Sequence, residues 1–320
     1  MTEPRTLRRV LVTGAAGFIG AHLAARLAEC GATVIAVDRR AFGDMPKRSA
    51  DQAAGVVRIT ADLRDCALEP LLLEADTVFH LAAQPGVRTS WASGFADYLA
   101  DNLFVTHRLT EASARLGVSR FVLASSSSVY GPTAGQPSRE ADQTSPISPY
   151  AISKLAAELL CAAHCGQAGR LTETVALRYF TVYGPGQRRD MLIHRALNAA
   201  LSREPVRIYG SGGQQRDFTF IDDAVSATVA AATCFDPPQV VNVGSGYSVK
   251  LDELFATIAE VTGTTVPTTT APIEPGDVQV TLADTTLARH YLGWQPATTL
   301  SDGIAAQWEW LQSSCRTVAT

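Results

Sequence analysis

Arg8-Arg9-Val10-Leu11-Val12-Thr13-Gly14-Ala15-Ala16-Gly17-Phe18-Ile19-Gly20 is the stretch on which the fold turns. An apolar, β-branched run leads into glycines spaced Gly-x-x-Gly-x-x-Gly, and a helical pattern follows from Ile19 to Cys30. Glycine permits a tight turn and close approach of backbone to ligand, while a helix N-terminus offers unpaired amides to an anion. Strand, turn and helix in this order form a cradle for a pyrophosphate. A purely structural turn can also hold glycine, but seldom three at this spacing.

The same rhythm continues outward. Arg8 to Val12, Thr33 to Val37, Val56 to Ile59, Thr77 to Leu81, Arg120 to Ala124 and Thr174 to Leu177 read as strands. Ile19 to Cys30, Tyr98 to Leu116 and Tyr150 to Cys165 read as helices, with Gly31 and Gly117 placed to end two of them. Alternation of this kind predicts an α/β fold, a doubly wound parallel sheet covered on both faces. Beyond Gly184 the rhythm loosens. Helices are expected at Met191 to Arg203, Asp222 to Cys234 and Leu251 to Thr262, strands at Val206 to Tyr209 and Val240 to Val243, and two short helices after the Thr- and Pro-rich stretch Thr264 to Pro275.

Composition narrows the class. A chain of 320 residues, 46% hydrophobic and 18% charged, can bury a full core as one large or two intimate domains. A formal net charge of -4 gives no reason to expect nucleic acid or an anionic membrane as partner. Without a signal-like apolar start or a run of bilayer length, a cytoplasmic protein is expected. Six cysteines fit reduced thiols better than a disulfide framework. Cys161, His164 and Cys165 share a helical face, but small cysteines in an alanine-rich helix need no metal, and none is expected.

The second strand leads to Asp38, whose carboxylate suits both adenosine ribose hydroxyls and would repel a 2'-phosphate, so NAD is expected over NADP. Arg39, also placed at the cofactor, and Arg40 pull the other way. Asp62-Leu63 is positioned either to hold the adenine or, through Asp62, only to cap a turn. Downstream, Tyr150 and Lys154 stand four apart on a helix, beyond the run Ser125-Ser126-Ser127-Ser128. Residues four apart share a face, and an ammonium beside the ring is expected to lower the tyrosine pKa toward neutrality. Such a tyrosine takes a proton from an alcohol as hydride leaves the same carbon, with a serine hydroxyl bridging the two.

Glycine turn, serine run and Tyr-x-x-x-Lys in this order resemble the extended short-chain dehydrogenase/reductase superfamily, in its nucleotide-sugar epimerase and dehydratase branch. Arg216-Asp217-Phe218-Thr219-Phe220-Ile221-Asp222-Asp223 and Gly276-Asp277-Val278 match that branch's later motifs. The segments His80 to Arg88 and Arg178 to Arg188 are most similar to UDP-glucuronate 4-epimerases. The resemblance implies a Rossmann sheet with NAD and a catalytic triad of Ser126, Tyr150 and Lys154. Gly14, Gly17, Phe18, Ile19, Gly20, Leu81, Ala82 and Ala83 would line the cofactor, with Tyr179, Phe180 and Val182 at its nicotinamide end. It also implies a smaller C-terminal α/β substrate domain, formed by about 184–215 and 245–320. The NAD-binding domain would comprise 1–183 and a returning segment, about 216–244. A homodimer through the two long helices of the first domain is expected.

The branch's reactions begin alike: Tyr150 takes the carbon 4 proton, NAD takes the hydride, and a 4-keto sugar forms. The family's 4,6-dehydratases carry an Asp-Glu pair after the triad hydroxyl, and its uronate decarboxylases a glutamate at the second position. Ser127-Ser128 stands there instead, which favours a 4-epimerase. By resemblance Ser127, Thr181 and Arg188 meet a sugar carboxylate, with Arg88 a further candidate, and Arg216 meets the ribose or diphosphate of the nucleotide. Pro85, Ser128, Tyr209 and Asp277 complete the expected substrate contacts. Anchoring the carboxylate out of line with the ketone π system suppresses loss of carbon dioxide. Glu274 stands where many relatives have arginine, shifting anion binding onto Arg216. Alternatives are UDP-glucose or UDP-N-acetylhexosamine 4-epimerase, UDP-glucuronate decarboxylase, and a non-catalytic NAD-binding regulator.

Overall fold

The computed structural model describes residues 5–42, 55–91, 94–165, 172–210, 212–272 and 276–318. In chain order the first elements are β1 (Arg9–Thr13), α1 (Phe18–Glu29), β2 (Thr33–Asp38), β3 (Val56–Thr60), α2 (Glu69–Leu72), β4 (Thr77–His80), α3 (Phe95–Tyr98), α4 (Val105–Leu116), β5 (Arg120–Ser126), α5 (Pro149–Cys165) and β6 (Glu173–Tyr179). There follow β7 (Thr181–Tyr183), α6 (Leu192–Ser202), β8 (Val206–Tyr209), β9 (Gln215–Phe220), α7 (Ile221–Thr233), β10 (Val240–Val243), β11 (Ser248–Lys250), α8 (Leu251–Thr262), β12 (Thr268–Ala271), α9 (Thr286–Leu292) and α10 (Leu300–Val318).

Seven strands form a parallel sheet ordered β10-β6-β5-β4-β1-β2-β3. Side chains alternate between two cores, as the period of a strand demands. Val10, Val12, Val34 and Ala36 pack under α1 and α7. Leu11, Ile35 and Val37 point the other way, under α4 and α5. Burial on both faces is why these strands read as unbroken apolar runs. The chain leaves β1 toward β2 on one side and enters β4 on the other, and this reversal opens a crevice at the carboxyl ends of both strands.

Two departures from the expected elements bear on the site. The helix read from Tyr98 begins at Phe95 and passes through a π-helical turn, Leu99–Phe104, before α4. That wider turn carries Asp101 and Asn102, both buried. The last helix is nineteen residues rather than short. A Cβ on Gly303 would lie 2.2 Å from the Tyr183 hydroxyl, so close packing demands glycine inside this continuous helix.

Short strands build what lies over the crevice. β9 sits between β7 and β11 in a second sheet, and β8 pairs with β12 in a third. The chain returns to the large sheet through α7 and β10. The Thr- and Pro-rich stretch contains β12, and Glu274 lies outside the described residues. Among the described residues no helix is long and apolar enough to cross a membrane.

Candidate active site

The glycine turn is packed too tightly for side chains. Gly14 has φ +66°, and a Cβ there would meet the Ala82 amide nitrogen at 2.7 Å. A Cβ on Gly20 would sit 2.2 Å from the Gly14 carbonyl oxygen, fixing how closely α1 approaches β1. No side chain caps α1, whose N-cap is Gly17, and no acidic residue occupies its first turn. The helix thus presents its positive end to the crevice. Gly14, Gly17, Phe18, Ile19 and Gly20 all line a cavity of about 580 Å³.

Asp38 ends β2 with its carboxylate in that cavity. It accepts hydrogen bonds from the Ala16 amide at 3.0 Å and the Arg40 amide at 2.9 Å, and Arg40 Nε lies at 3.4 Å. The two arginines that pulled against an NAD reading are both neutralised: Arg40 by Asp38, and Arg39 by Asp101 at 2.9 Å. Asp62 accepts the Arg64 amide at 3.0 Å and its guanidinium at 2.5 Å, which holds the Asp62 carboxyl below the usual range. This is the turn-capping geometry, while Asp62 and Leu63 still face the cavity.

Leu81, Ala82 and Ala83 line the opposite wall, braced by a buried chain of hydroxyls. The Thr106 hydroxyl donates to the Asn102 carbonyl at 2.6 Å, so its oxygen accepts from His80 Nε2–H at 2.9 Å. His80 Nδ1 is then the acceptor for the Thr13 hydroxyl at 2.8 Å, and Thr13 in turn accepts the Ala82 amide at 3.1 Å. Burial, with Lys154 nearby, pushes the His80 pKa down to about 3 and keeps the ring neutral.

Ser126 ends β5, and Tyr150 and Lys154 rise from the first turns of α5. All three line the same cavity, as do Tyr179, Phe180 and Val182. Ser126 Oγ lies 2.6 Å from Ser128 Oγ, and its hydrogen bond to Tyr150 lowers that phenol's pKa. Burial is the larger effect, however, and the Tyr150 pKa is raised overall. The expected lowering by Lys154 is therefore corrected. Lys154 Nζ donates to the Ala124 carbonyl at 2.8 Å, burial brings its pKa down to about 8, and the cation that acts on Tyr150 is Arg188.

A second cavity, about 670 Å³, adjoins the first and shares Gln84, Pro85, Thr181, Arg188, Arg216 and Asp277 with it. Ser127 and Ser128 line only the triad side. Arg88 and Tyr209 line only the far side. Arg88 stacks 4.0 Å from the Tyr209 ring centroid and bonds Asp277 at 2.9 Å, while Arg216 bonds the same carboxylate at 3.1 Å. Arg88 and Arg216 thus share one carboxylate, and Arg88 lines the second cavity but not the one that holds the triad. Asp217 and Asp223 of the matching downstream motif line neither of these two cavities: they accept backbone amides, Asp217 from Ser245, Gly246 and Ala283, and Asp223 from Ala297 and Thr298.

The sequence pattern of the NAD dependent epimerase/dehydratase family matches residues 10–244. The chain belongs to this family. Similar relatives include an uncharacterized UDP-glucose epimerase, YtcB, of Bacillus subtilis, 35% identical over 95% of this chain and 98% of its own. A probable UDP-glucuronate 4-epimerase of Rhizobium meliloti is 33% identical over 98% and 99%. Among solved structures, MoeE5 in complex with UDP-glucuronic acid and NAD superposes with a TM-score of 0.90 at 45% identity, covering 96% of this chain and 99% of that one.

Within this epimerase/dehydratase, several site-building residues escape sequence reasoning. Asn102 accepts the Gln84 amide at 2.7 Å and donates to Ser153 at 2.9 Å, tying the Gln84-Pro85 wall to α5. Glu158 receives Arg178 at 3.0 and 2.8 Å and also Ser125, stiffening β5 and β6 behind the triad. Asp190 forks with Arg188. Only Asp190 carried a signal, standing two residues beyond an arginine already singled out.

Proposed function

We propose that this protein is an NAD-dependent 4-epimerase of a UDP-hexuronate, interconverting UDP-glucuronate and UDP-galacturonate through a 4-keto intermediate. The observation that carries this reading is Arg188 at the junction of the two cavities, with Ser127-Ser128 and no acid/base pair after Ser126. The glycine cradle, Asp38, Leu81 to Ala83 and Tyr179 to Val182 fit NAD and would hold it. When bound, NAD supplies the acceptor and then the donor of the hydride at carbon 4.

Tyr150 exchanges the proton of the carbon 4 hydroxyl, with Ser126 bonded to it along the proton's path. Arg188, with Thr181 and Ser127, grips the carboxylate and holds the breaking bond out of line with the ketone. Arg88, Arg216, Asp277 and Tyr209 take the nucleotide and its diphosphate, and Pro85 and Ser128 complete the sugar wall. Residues 1–183 with about 216–244 serve as the cofactor domain, and about 184–215 with 245–320 as the nucleotide-sugar domain.

We further read the enzyme as a homodimer. α4 and α5 pack side by side, and Leu99, Phe104, Leu116, Ile152 and Leu159 on or beside them are exposed apolar side chains. Cys30, Cys66, Cys161 and Cys234 carry reduced thiols, suited to a reducing cytoplasm. Purified protein given UDP-glucuronate, UDP-glucose and UDP-N-acetylglucosamine, with products read by NMR, tests the assignment. UDP-galacturonate should form much faster than UDP-galactose; equal rates on the uronate and the neutral hexose would sink it.

A further inference from the structure

Arg188 is not a free guanidinium waiting for substrate. Its Nε donates to one oxygen of Asp190 at 3.0 Å and its Nη2 to the other at 2.7 Å, a two-bond fork on one edge. The same Nη2 lies 3.7 Å from Met191 Sδ. Arg188 lines both cavities, whereas Asp190 lines only the one remote from the triad. Asp190 therefore holds the guanidinium from the side of the second cavity, and Nη1 lies outside the fork.

A flexible arginine can swing out of a pocket, and its planar fork recognises a carboxylate only when its plane is set beforehand. Met191 is the N-cap residue of α6, so Asp190 stands on backbone anchored by that helix. From these contacts we infer that Asp190 is a positioning residue for uronate selectivity: it clamps one edge of Arg188 so that the other end stays presented to the carboxylate at carbon 6. This rests on the uronate reading above.

The clamp has a chemical consequence. In the 4-keto intermediate the carbon 5 to carbon 6 bond can break, its electron pair moving into the ketone as an enolate. Carbon 6 then leaves as carbon dioxide and carbon 5 takes a proton from water. A carboxylate held so that the carbon 5 to carbon 6 bond stays near the ketone plane, out of line with its π system, resists this step. With Arg188 unclamped the carboxylate samples the aligned geometry, and decarboxylation should compete with epimerisation.

The test compares wild type with Asp190→Ala, Asp190→Asn and Arg188→Ala on UDP-glucuronate and UDP-glucose, recording KM, kcat and carbon dioxide released per turnover, with NAD affinity and Tm as fold controls. For Asp190→Ala the KM for UDP-glucuronate should rise about tenfold, by more than that for UDP-glucose, with carbon dioxide per turnover rising in parallel. Asp190→Asn, which keeps one acceptor oxygen, should fall between. An unchanged selectivity ratio and unchanged carbon dioxide yield, or a lower KM for the uronate, would overturn the inference. If wild type shows no preference for the uronate, the substrate reading fails. If wild type prefers it and Arg188→Ala abolishes the preference while Asp190→Ala keeps it, only the positioning role fails.

Discussion

Lys154 donates its ammonium to the carbonyl of Ala124 at 2.8 Å, from a site where burial brings its pKa from 10.5 to about 8. A lysine whose folded pKa lies below its unfolded one opposes folding while both states are charged, here by about 3 kcal/mol. As pH climbs from about 8 to 10.5 the unfolded chain binds the extra proton, so this penalty fades. Wild type should therefore gain stability relative to Lys154→Met across that window, seen by urea unfolding at pH 7.5 and pH 10. A constant difference would mean that Lys154 does not titrate in the range its burial implies.

Tyr150→Phe removes the hydroxyl proposed to take the carbon 4 proton while leaving the ring packed at 6.3 Å against Tyr98. Turnover should fall by about 10³-fold or more with NAD affinity nearly unchanged. Because burial raises the Tyr150 pKa, kcat/KM of the wild type should climb as pH rises above neutrality. Retention of a tenth of the activity by the phenylalanine variant would remove Tyr150 from its role.

Asp38 both closes the glycine turn through the Ala16 amide and neutralises Arg40. Asp38→Ala should weaken NAD about tenfold and move the NADP-to-NAD affinity ratio toward NADP. Titration calorimetry with each cofactor measures both. A loss shared equally by the two cofactors would leave Asp38 a scaffold of the turn alone.

Leu159 stands on α5 with 63% of its surface exposed. A charge at the centre of a buried apolar contact costs several kcal/mol, enough to split a dimer. Leu159→Glu should elute as a monomer in light-scattering chromatography where wild type elutes as a dimer. A monomeric wild type, or a variant that still dimerises, contradicts the α4 and α5 interface.

The elements legible in the sequence were those whose cause is local. The unbroken apolar runs of β1 and β2, and Gly117 at the end of α4 with φ +76°, follow from burial on both faces and from backbone freedom. β7, β9 and β11 were not read as strands. They are three to six residues long, mix polar with apolar positions, and exist by pairings such as Thr181 with Phe218 and Asp217 with Ser248, far apart in the chain. The π-helical turn was invisible for a similar reason, since what it achieves is the placing of Asp101 against Arg39 and of Asn102 against Gln84.

By itself the sequence determined the parallel sheet, the tight glycine turn and the shared helix of Tyr150 and Lys154, because glycine spacing, strand period and the four-residue spacing of a helix are fixed along the chain. Only the tertiary structure decided the electrostatics. It turned Lys154 to the Ala124 carbonyl, brought Arg188 and Tyr150 to one cavity with Asp190 forked to the arginine, and joined Arg88 and Arg216 through Asp277. The strength and sign of a charge's influence depend on distance, burial and partners, and those are settled where segments far apart in the chain meet.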